Sequence, residues 1–402
     1  MEPFKKLVSY EEAIKIVLDN VRAVEKVEIV GLADSHDRVL ARDLVAENPV
    51  PPFARAAMDG YAVKAEDTYG SSMFKPKTVK LIGAIYPGEP FAAEVKHGEC
   101  IQIATGCPIP RGADAVVMVE FTKEEGEHIQ VQRPVYPGSN IAPKGEDIES
   151  GALVLDKGTH LTPSKVGVLA ALGLTAVEVY ERPKVSILST GKEVKEVGSQ
   201  LKEGEVYDIN TYTLFSIAKA NGATPFRFNI VPDSEIELRT AIQHAMENDL
   251  VILSGGSSVG TRDLLYRVVE DLGSVIFHGV QVKPGKPTLF GLIEGKPIFG
   301  MPGYPTSCLS NAYMFLVPAL RKMARLPQKD SRTIKVPMGH RFVSSSGRVQ
   351  FLTVKIRDGK AYQAFKESGA ITSMSGADGY ILVPLSVDVL EEGEEVTVTF
   401  LE

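Results

Sequence analysis

The sequence predicts a multidomain α/β plus β protein. It has a central, mostly parallel α/β domain, a small inserted β domain, a helical N-terminal and linker domain, and a C-terminal β-barrel-like domain. Three observations predict this. Between residues 184 and 327, wholly apolar strand-type runs alternate with helical runs, the pattern of a mostly parallel sheet covered on both faces. Between 46 and 140, and again after Pro327, the apolar runs are short and Pro or Gly punctuates them, as in all-β units. Finally, 402 residues at about 150 per domain make roughly two to four domains. The 44% hydrophobic and 24% charged content excludes a long disordered chain and a coiled coil.

The first element is a helix after Ser9-Tyr10-Glu11-Glu12, a capping box in which Ser9 and Glu12 satisfy each other's end of the first turn. Ile14, Val17, Leu18 and Val21 then mark one apolar face. In the inserted domain the strand runs are Val79–Ile82, Cys100–Ile103, Ala115–Val119 and Ile129–Val131. Thr162-Pro163 opens a helix ending at Gly173, with proline at its first position. In the α/β region, strands are expected at Val185–Leu188, Phe226–Ile230, Leu250–Leu253, Val275–Phe277, Thr288–Phe290 and Pro297–Phe299. Helices are expected at Thr211–Lys219, from a second capping box at Ser234–Glu237 to Glu247, at Arg262–Leu272, and from Thr306 onward. Pro318 should kink that last helix or begin a new one. Beyond 327, strands Thr333–Val336, Val349–Val354, Ala361–Phe365, Gly379–Val383 and Val396–Phe400 follow, with Asp358-Gly359 and Glu392-Gly393 as hairpin turns. The expected domains are thus 1–45 with 141–183, 46–140, 184–327 and 328–402.

Open α/β sheets bind ligands outside the carboxyl ends of their strands. Three glycine-bearing loops fall there: Ser189-Thr190-Gly191-Lys192-Glu193, Ser254-Gly255-Gly256-Ser257-Ser258-Val259-Gly260, and Lys283-Pro284-Gly285-Lys286-Pro287. Glycine lets backbone N–H groups approach an anion, and two lysines three apart can face one anionic group. Glu193, Asp233 and Asp263 share the same rim. A helix-start charge accounts for Asp233 and Asp263 singly, but acids beside bound phosphates also hold Mg²⁺. The chain around Gly279–Lys286 is not a phosphate-binding P-loop, because Pro287 stands where Ser or Thr is needed. Gly256–Gly260 fits the hydrolase pattern G-x-S-x-G, yet its serine is read more simply as a phosphate donor.

Cys100, Cys107 and Cys308 form no CxxC, so a zinc ribbon or disulfide framework is not expected. Outside the α/β region, Pro49–Val63 is too apolar and proline-rich for a solvated loop. It is either a plain turn at Asp59-Gly60 or a rigid arm presenting Asp59 to a partner surface. Thr105–Val117 and Lys144–Asp147 are similar tightly composed loops. The net charge of −7 argues against nucleic acid as the main partner. No apolar run approaches the length of a membrane span, and the N-terminus lacks a secretory h-region. A cytoplasmic protein with no nucleic-acid or membrane partner is expected. Residue patterns alone end at a multidomain enzyme with an anionic ligand.

Taken together and in order, Ala57–Ala62, Thr105–Val117, Gly145–Ile148, Leu188–Gly191, Ser254–Gly256 with Ser258–Gly260, Lys283–Pro287 and Pro302–Pro305 resemble the molybdopterin molybdenumtransferases, relatives of the C-terminal part of gephyrin. The resemblance implies an elongated four-domain homodimer whose α/β domain binds molybdopterin. It implies insertion of molybdate, or tungstate, into adenylylated molybdopterin with release of AMP and dependence on Mg²⁺. By the same resemblance Asp59, Glu193, Asp233, Asp263, Lys283 and Lys286 are catalytic, and Glu193, Asp233 and Asp263 ligate the metal. Thr105, Asp147, Ser189, Thr190, Gly191, Gly255, Gly256, Ser258, Pro302 and Pro305 bind the cofactor substrate. Contact with the adenylyltransferase of the preceding step or with apo-molybdoenzymes is a further implied partnership. Three changes depart from the family pattern: Lys192 replaces an acid, Tyr304 replaces the asparagine of Pro-Gly-Asn-Pro, and Ala54-Arg55 replaces Asp-Asn. The rival readings are the adenylyltransferase itself, which shares only the α/β domain, and a non-catalytic gephyrin-like scaffold.

Overall fold

The computed structural model describes residues 7–88, 92–255, 264–329, 331–344, 347–364 and 369–401. The central sheet has six strands in the order Thr224–Arg227, Lys184–Ser189, Leu250–Ser254, Lys296–Met301, Leu289–Ile293 and Ser274–His278. The first four run parallel, and Leu289–Ile293 is antiparallel to both its neighbours. Apolar residues alternate across the sheet, so both faces need cover. Val185, Ile187, Leu250, Ile252 and Phe299 pack on one side against Leu214, Leu316 and Leu320. Leu188, Val251, Leu253 and Ile298 pack on the other against Leu238, Ile242, Leu265 and Val268.

The N-terminal helix is Tyr10–Asn20, and the Ser9 hydroxyl accepts from the Glu12 N–H at 3.1 Å, as its capping box requires. Its apolar face does not join residues 141–183, with which it was expected to share a domain. Ala13, Val17 and Val21 enter the α/β core beside Phe315 and Leu316, and Val8 exchanges backbone hydrogen bonds with Gly279 and Gln281. An amphipathic face shows that a helix must pack, not on what. The rest of the linker unit does join two segments: Val27–Gly31 pairs with Ala176–Tyr180, and Leu40, Leu161, Leu169 and Val179 form its core.

The second capping box is not made. Ser234 is the N-cap of Glu235–Ala245 but gives no side-chain cap bond, and its own N–H is already donated to the Pro232 carbonyl. Pro318 begins a new helical segment, one of the two outcomes expected of it. A π turn over Ala312–Leu316 links Pro305–Asn311 to Val317–Met323, whose first turn holds Pro318. The wider turn accommodates a ring with no N–H to donate.

The inserted β domain is a six-stranded sheet from Gly60–Val63, Lys77–Ile85, Glu99–Ile103, Ala115–Met118, Thr122–Glu125 and His128–Val131. Its apolar clusters draw only on residues 56–141. In the C-terminal domain, Lys360–Gln363, Val349–Arg357, Gly379–Val383, Glu395–Phe400 and Thr333–Pro337 pair in that order. A Met338–Ala361 bridge brings the first and last together, rounding the sheet toward a barrel. The Asp358-Gly359 hairpin forms. Glu392-Gly393 is not a hairpin turn, because Val389–Leu390 pairs with Phe342–Val343 whereas Glu395–Phe400 pairs elsewhere.

Candidate functional site

The strand order fixes one edge of the central sheet, and the selected α/β residues converge on it. Ser189, Thr190, Gly191 and Glu193 follow one strand; Asp233 lies beyond the Thr190–Val231 bridge; Gly255 follows a third. Pro302 and Pro305 leave the Lys296–Met301 strand, and the lysine loop leaves Ser274–His278. Gly256, Ser258 and Asp263 lie outside the described residues, as does the G-x-S-x-G serine pattern.

The lysine loop is held from several sides. Lys283 pairs with Gln350 of the C-terminal domain, so the loop lies at the seam of two domains. The Lys286 carbonyl accepts from both Val280 and Thr288 N–H groups at 2.9 Å. Fully buried Asn311 donates through Nδ2 to the Gly285 carbonyl at 2.8 Å and to the Thr288 hydroxyl. Gly285 has φ +105°, and a Cβ there would collide with the Asn311 amide, so only glycine fits. Lys283 and Lys286 are both half-buried.

Beneath the rim is a polar network that the sequence reading missed. Asp208 is 3% exposed. It accepts from the Ser189 hydroxyl at 3.0 Å, the Thr211 hydroxyl at 2.6 Å and the Thr211 N–H at 3.1 Å. Asn210 donates to the Ser254 hydroxyl at 2.7 Å and to the Gly303 carbonyl at 2.8 Å. These bonds engage groups that the sequence singled out as facing a ligand. The Ser189 hydroxyl is buried and engaged with Asp208, so it braces the loop. The N–H groups of Thr190 and Gly255 donate to Ser254 and Met301 carbonyls, so they lace the rim together. All three cysteines are buried, and burial pushes the Cys100 and Cys308 thiols up to about 12, which suits packing residues better than nucleophiles.

Among the described residues, no three His, Cys, Asp or Glu side chains come together as a metal cage. Glu193 and Asp233 are exposed on the rim, and the Glu193 carboxylate folds over Gly191, about 3.0 Å from where a Cβ would stand. Two hard oxygen donors without a closed cage fit Mg²⁺, which takes much of its shell from water and substrate phosphates.

Asp59, Thr105 and Asp147 form a second assembly on the inserted domain and its base. Asp59 Oδ1 accepts from the Thr105 N–H at 2.7 Å and the Thr105 hydroxyl at 2.8 Å. These bonds, the amide's the larger, hold the carboxyl below its usual range. The arm beneath Asp59 is laced on both sides. Ala56 exchanges backbone bonds with Gly106 and Cys107, Ala57 donates to Asn140, and Asp147 and Gly145 donate to Val50 and Pro51. The arm is therefore rigid, and the three loops chosen separately in the sequence are one structure.

Three family descriptions match in order: MoeA N-terminal region (domain I and II) over residues 8–173, probable molybdopterin binding domain over 186–322, and MoeA C-terminal region (domain IV) over 335–401. The chain is 34% identical to a putative molybdopterin biosynthesis protein of Methanocaldococcus jannaschii, with 100% of both chains covered. It is 31% identical to the molybdopterin molybdenumtransferase of Haemophilus influenzae, over 93% of this chain and 96% of the relative. Against the namesake from Bacillus subtilis it is also 31% identical, over 98% and 94%. Its structure is similar to the MoeA molybdopterin biosynthesis protein of Pyrococcus horikoshii, with a TM-score of 0.85, 38% identity, and 99% and 100% coverage.

Proposed function

The chain belongs to the molybdopterin molybdenumtransferase family, and on that premise we propose that its carboxyl-end rim inserts molybdate into adenylylated molybdopterin and releases AMP. The observation that supports this reading is that the braced Lys283–Lys286 loop and the Glu193 and Asp233 loops all leave the same carboxyl edge of one sheet. That edge is where such sheets hold ligands.

Molybdate is a tetrahedral dianion, and Lys283 and Lys286 supply its countercharge. The braced loop fixes the backbone from which both lysine side chains extend, so less of it has to reorganise during the reaction. A molybdate oxygen attacks the pterin-side phosphorus, the P–O bond to AMP breaks and AMP departs; that oxygen stays on the pterin phosphate as its Mo–O bond breaks, and the two dithiolene sulfurs replace it and one further oxygen, which leaves as water with the thiol protons. Glu193 and Asp233 would hold Mg²⁺ against the substrate phosphates, where the ion neutralises anhydride charge. Lys192 adds positive charge on the same loop.

The protein works as a homodimer in this reading, with Asp59 and Thr105 presented to the rim of the opposite protomer. The support is a rigid arm on a domain whose apolar cores are its own. The adenylyltransferase reading leaves that arm without a purpose, and the relatives carry the transferase name.

The deciding experiment supplies purified protein with adenylylated molybdopterin, Mg²⁺ and either molybdate or tungstate. AMP release should require one of the two oxyanions, and comparing them gives the metal preference. Formation of the adenylate from ATP and molybdopterin would hand the assignment to the adenylyltransferase.

A further inference from the structure

Tyr304 departs from the family pattern, and its surroundings give it a role. The residue stands on the rim with 66% of its surface exposed. An exposed tyrosine alone means little, but this one is held on a fixed pedestal. Pro305 follows it, which restricts Tyr304 to extended backbone, and its φ of −70° and ψ of 130° obey that restriction. Its carbonyl accepts the Cys308 N–H at 2.9 Å. Gly303 before it is pinned through its carbonyl by buried Asn210 at 2.8 Å.

Among the described residues, glycine backbone approaches both the ring and the turn that carries it. A Cβ on Gly303 would stand 3.7 Å from the Gly255 Cα, and one on Gly369 would stand 3.8 Å from the Tyr304 ring. Gly369 belongs to the C-terminal domain, so the ring sits between two domains. An exposed aromatic face on a fixed turn, with a glycine of the neighbouring domain beside it, suits a flat ring. Aromatic side chains stack on planar heterocycles whatever their edge pattern.

We propose that Tyr304 is a stacking platform for a fused planar heterocycle of the substrate, either its pterin or its adenine. This deepens the function proposed above and rests on it. The residue does not touch the reacting phosphates; it positions the ring system so that they meet the lysine loop.

The test measures equilibrium binding of three probes, AMP, 6-hydroxymethylpterin phosphate and ribose 5-phosphate, to the full chain and to Tyr304→Leu, Tyr304→Phe and Tyr304→Trp. Tyr304→Leu should weaken one of the two ring-bearing probes by about tenfold to a hundredfold and leave ribose 5-phosphate unchanged. Tyr304→Phe and Tyr304→Trp should retain the binding. Which probe loses affinity identifies the heterocycle. The chain has no other tryptophan, so emission from Tyr304→Trp should also respond to that probe. Equal weakening of all three probes, or of none, overturns the stacking role while leaving the site intact. Failure of the unmodified chain to bind any probe overturns the site itself and this role with it.

Discussion

Two aspartates define two styles of construction in this molecule. Asp208 lies under the α/β rim, buried, with three donors converging on it from Ser189 and Thr211. Asp59 stands on the inserted domain, exposed, with both of its bonds going to one residue, Thr105. The first carboxylate is consumed by holding a loop and a helix start together. The second is braced only enough to point and to stay ionised. The rim is built on buried polar groups bonded to one another, whereas the arm exposes its acid and buries only its support. The rim therefore fails by losing shape and the arm by losing charge.

The largest expected effect tests the first half of that contrast. Gly285 and Gly106 both have positive φ, at +105° and +86°. A Cβ on Gly285 would strike Asn311, whereas one on Gly106 meets nothing within 4 Å. Gly285→Ala should lower unfolding free energy by about 2–4 kcal/mol, combining left-handed strain with overpacking. Gly106→Ala should show the strain alone, about 1 kcal/mol. Urea unfolding of both variants measures the difference, and equal losses would show that Asn311 yields to the added methyl.

The next effect tests the second half. An asparagine at position 59 can still accept both bonds from Thr105, so Asp59→Asn should unfold within about 0.5 kcal/mol of the unmodified chain. Its AMP release should nevertheless fall by about a hundredfold or more. A mixed dimer tests whether the arm acts across protomers. Random mixing of Asp59→Asn chains with Lys283→Ala chains should recover about a quarter of the activity, because half the dimers then carry one intact site. No recovery would place both residues in the same protomer's site.

The same contrast explains what could be read from the residues alone. The α/β alternation was legible because buried parallel strands such as Leu250–Leu253 are apolar throughout, and few other structures need that. The strand-end loops followed from it. Asp208 was missed although its bond to the Thr211 N–H has the spacing of a helix-start cap, a signal available in Asp208-Ile209-Asn210-Thr211. Asn311 carried no local signal. It lies inside an apolar helical run, and its purpose depends on Gly285, 26 residues away in sequence. The packing partner of the N-terminal helix was hidden for the same reason, since Ala13 and Val17 say only that a surface is needed. Local chemistry such as caps and turns is written locally, while the bracing of a site is written in approaches between distant segments.

The smallest effect concerns how much bracing the exposed acid needs. Thr105 gives Asp59 two bonds, and the amide's lowers the carboxyl pKa more than the hydroxyl's. A carboxyl whose folded pKa lies below its unfolded value stabilises the native state above the unfolded pKa, near pH 4. That contribution disappears as pH falls through the folded value. Thr105→Val removes the hydroxyl and keeps the amide, so the Asp59 carboxyl should titrate higher than in the unmodified chain yet still below an ordinary aspartate. NMR titration of the Asp59 carboxyl carbon reads this directly, and the acid-side loss of activity should begin at a correspondingly higher pH. Titration at the ordinary aspartate value would mean that the hydroxyl, not the backbone, keeps this carboxylate ionised. The rigidity of the arm, which fixes the amide, would then be irrelevant to its charge.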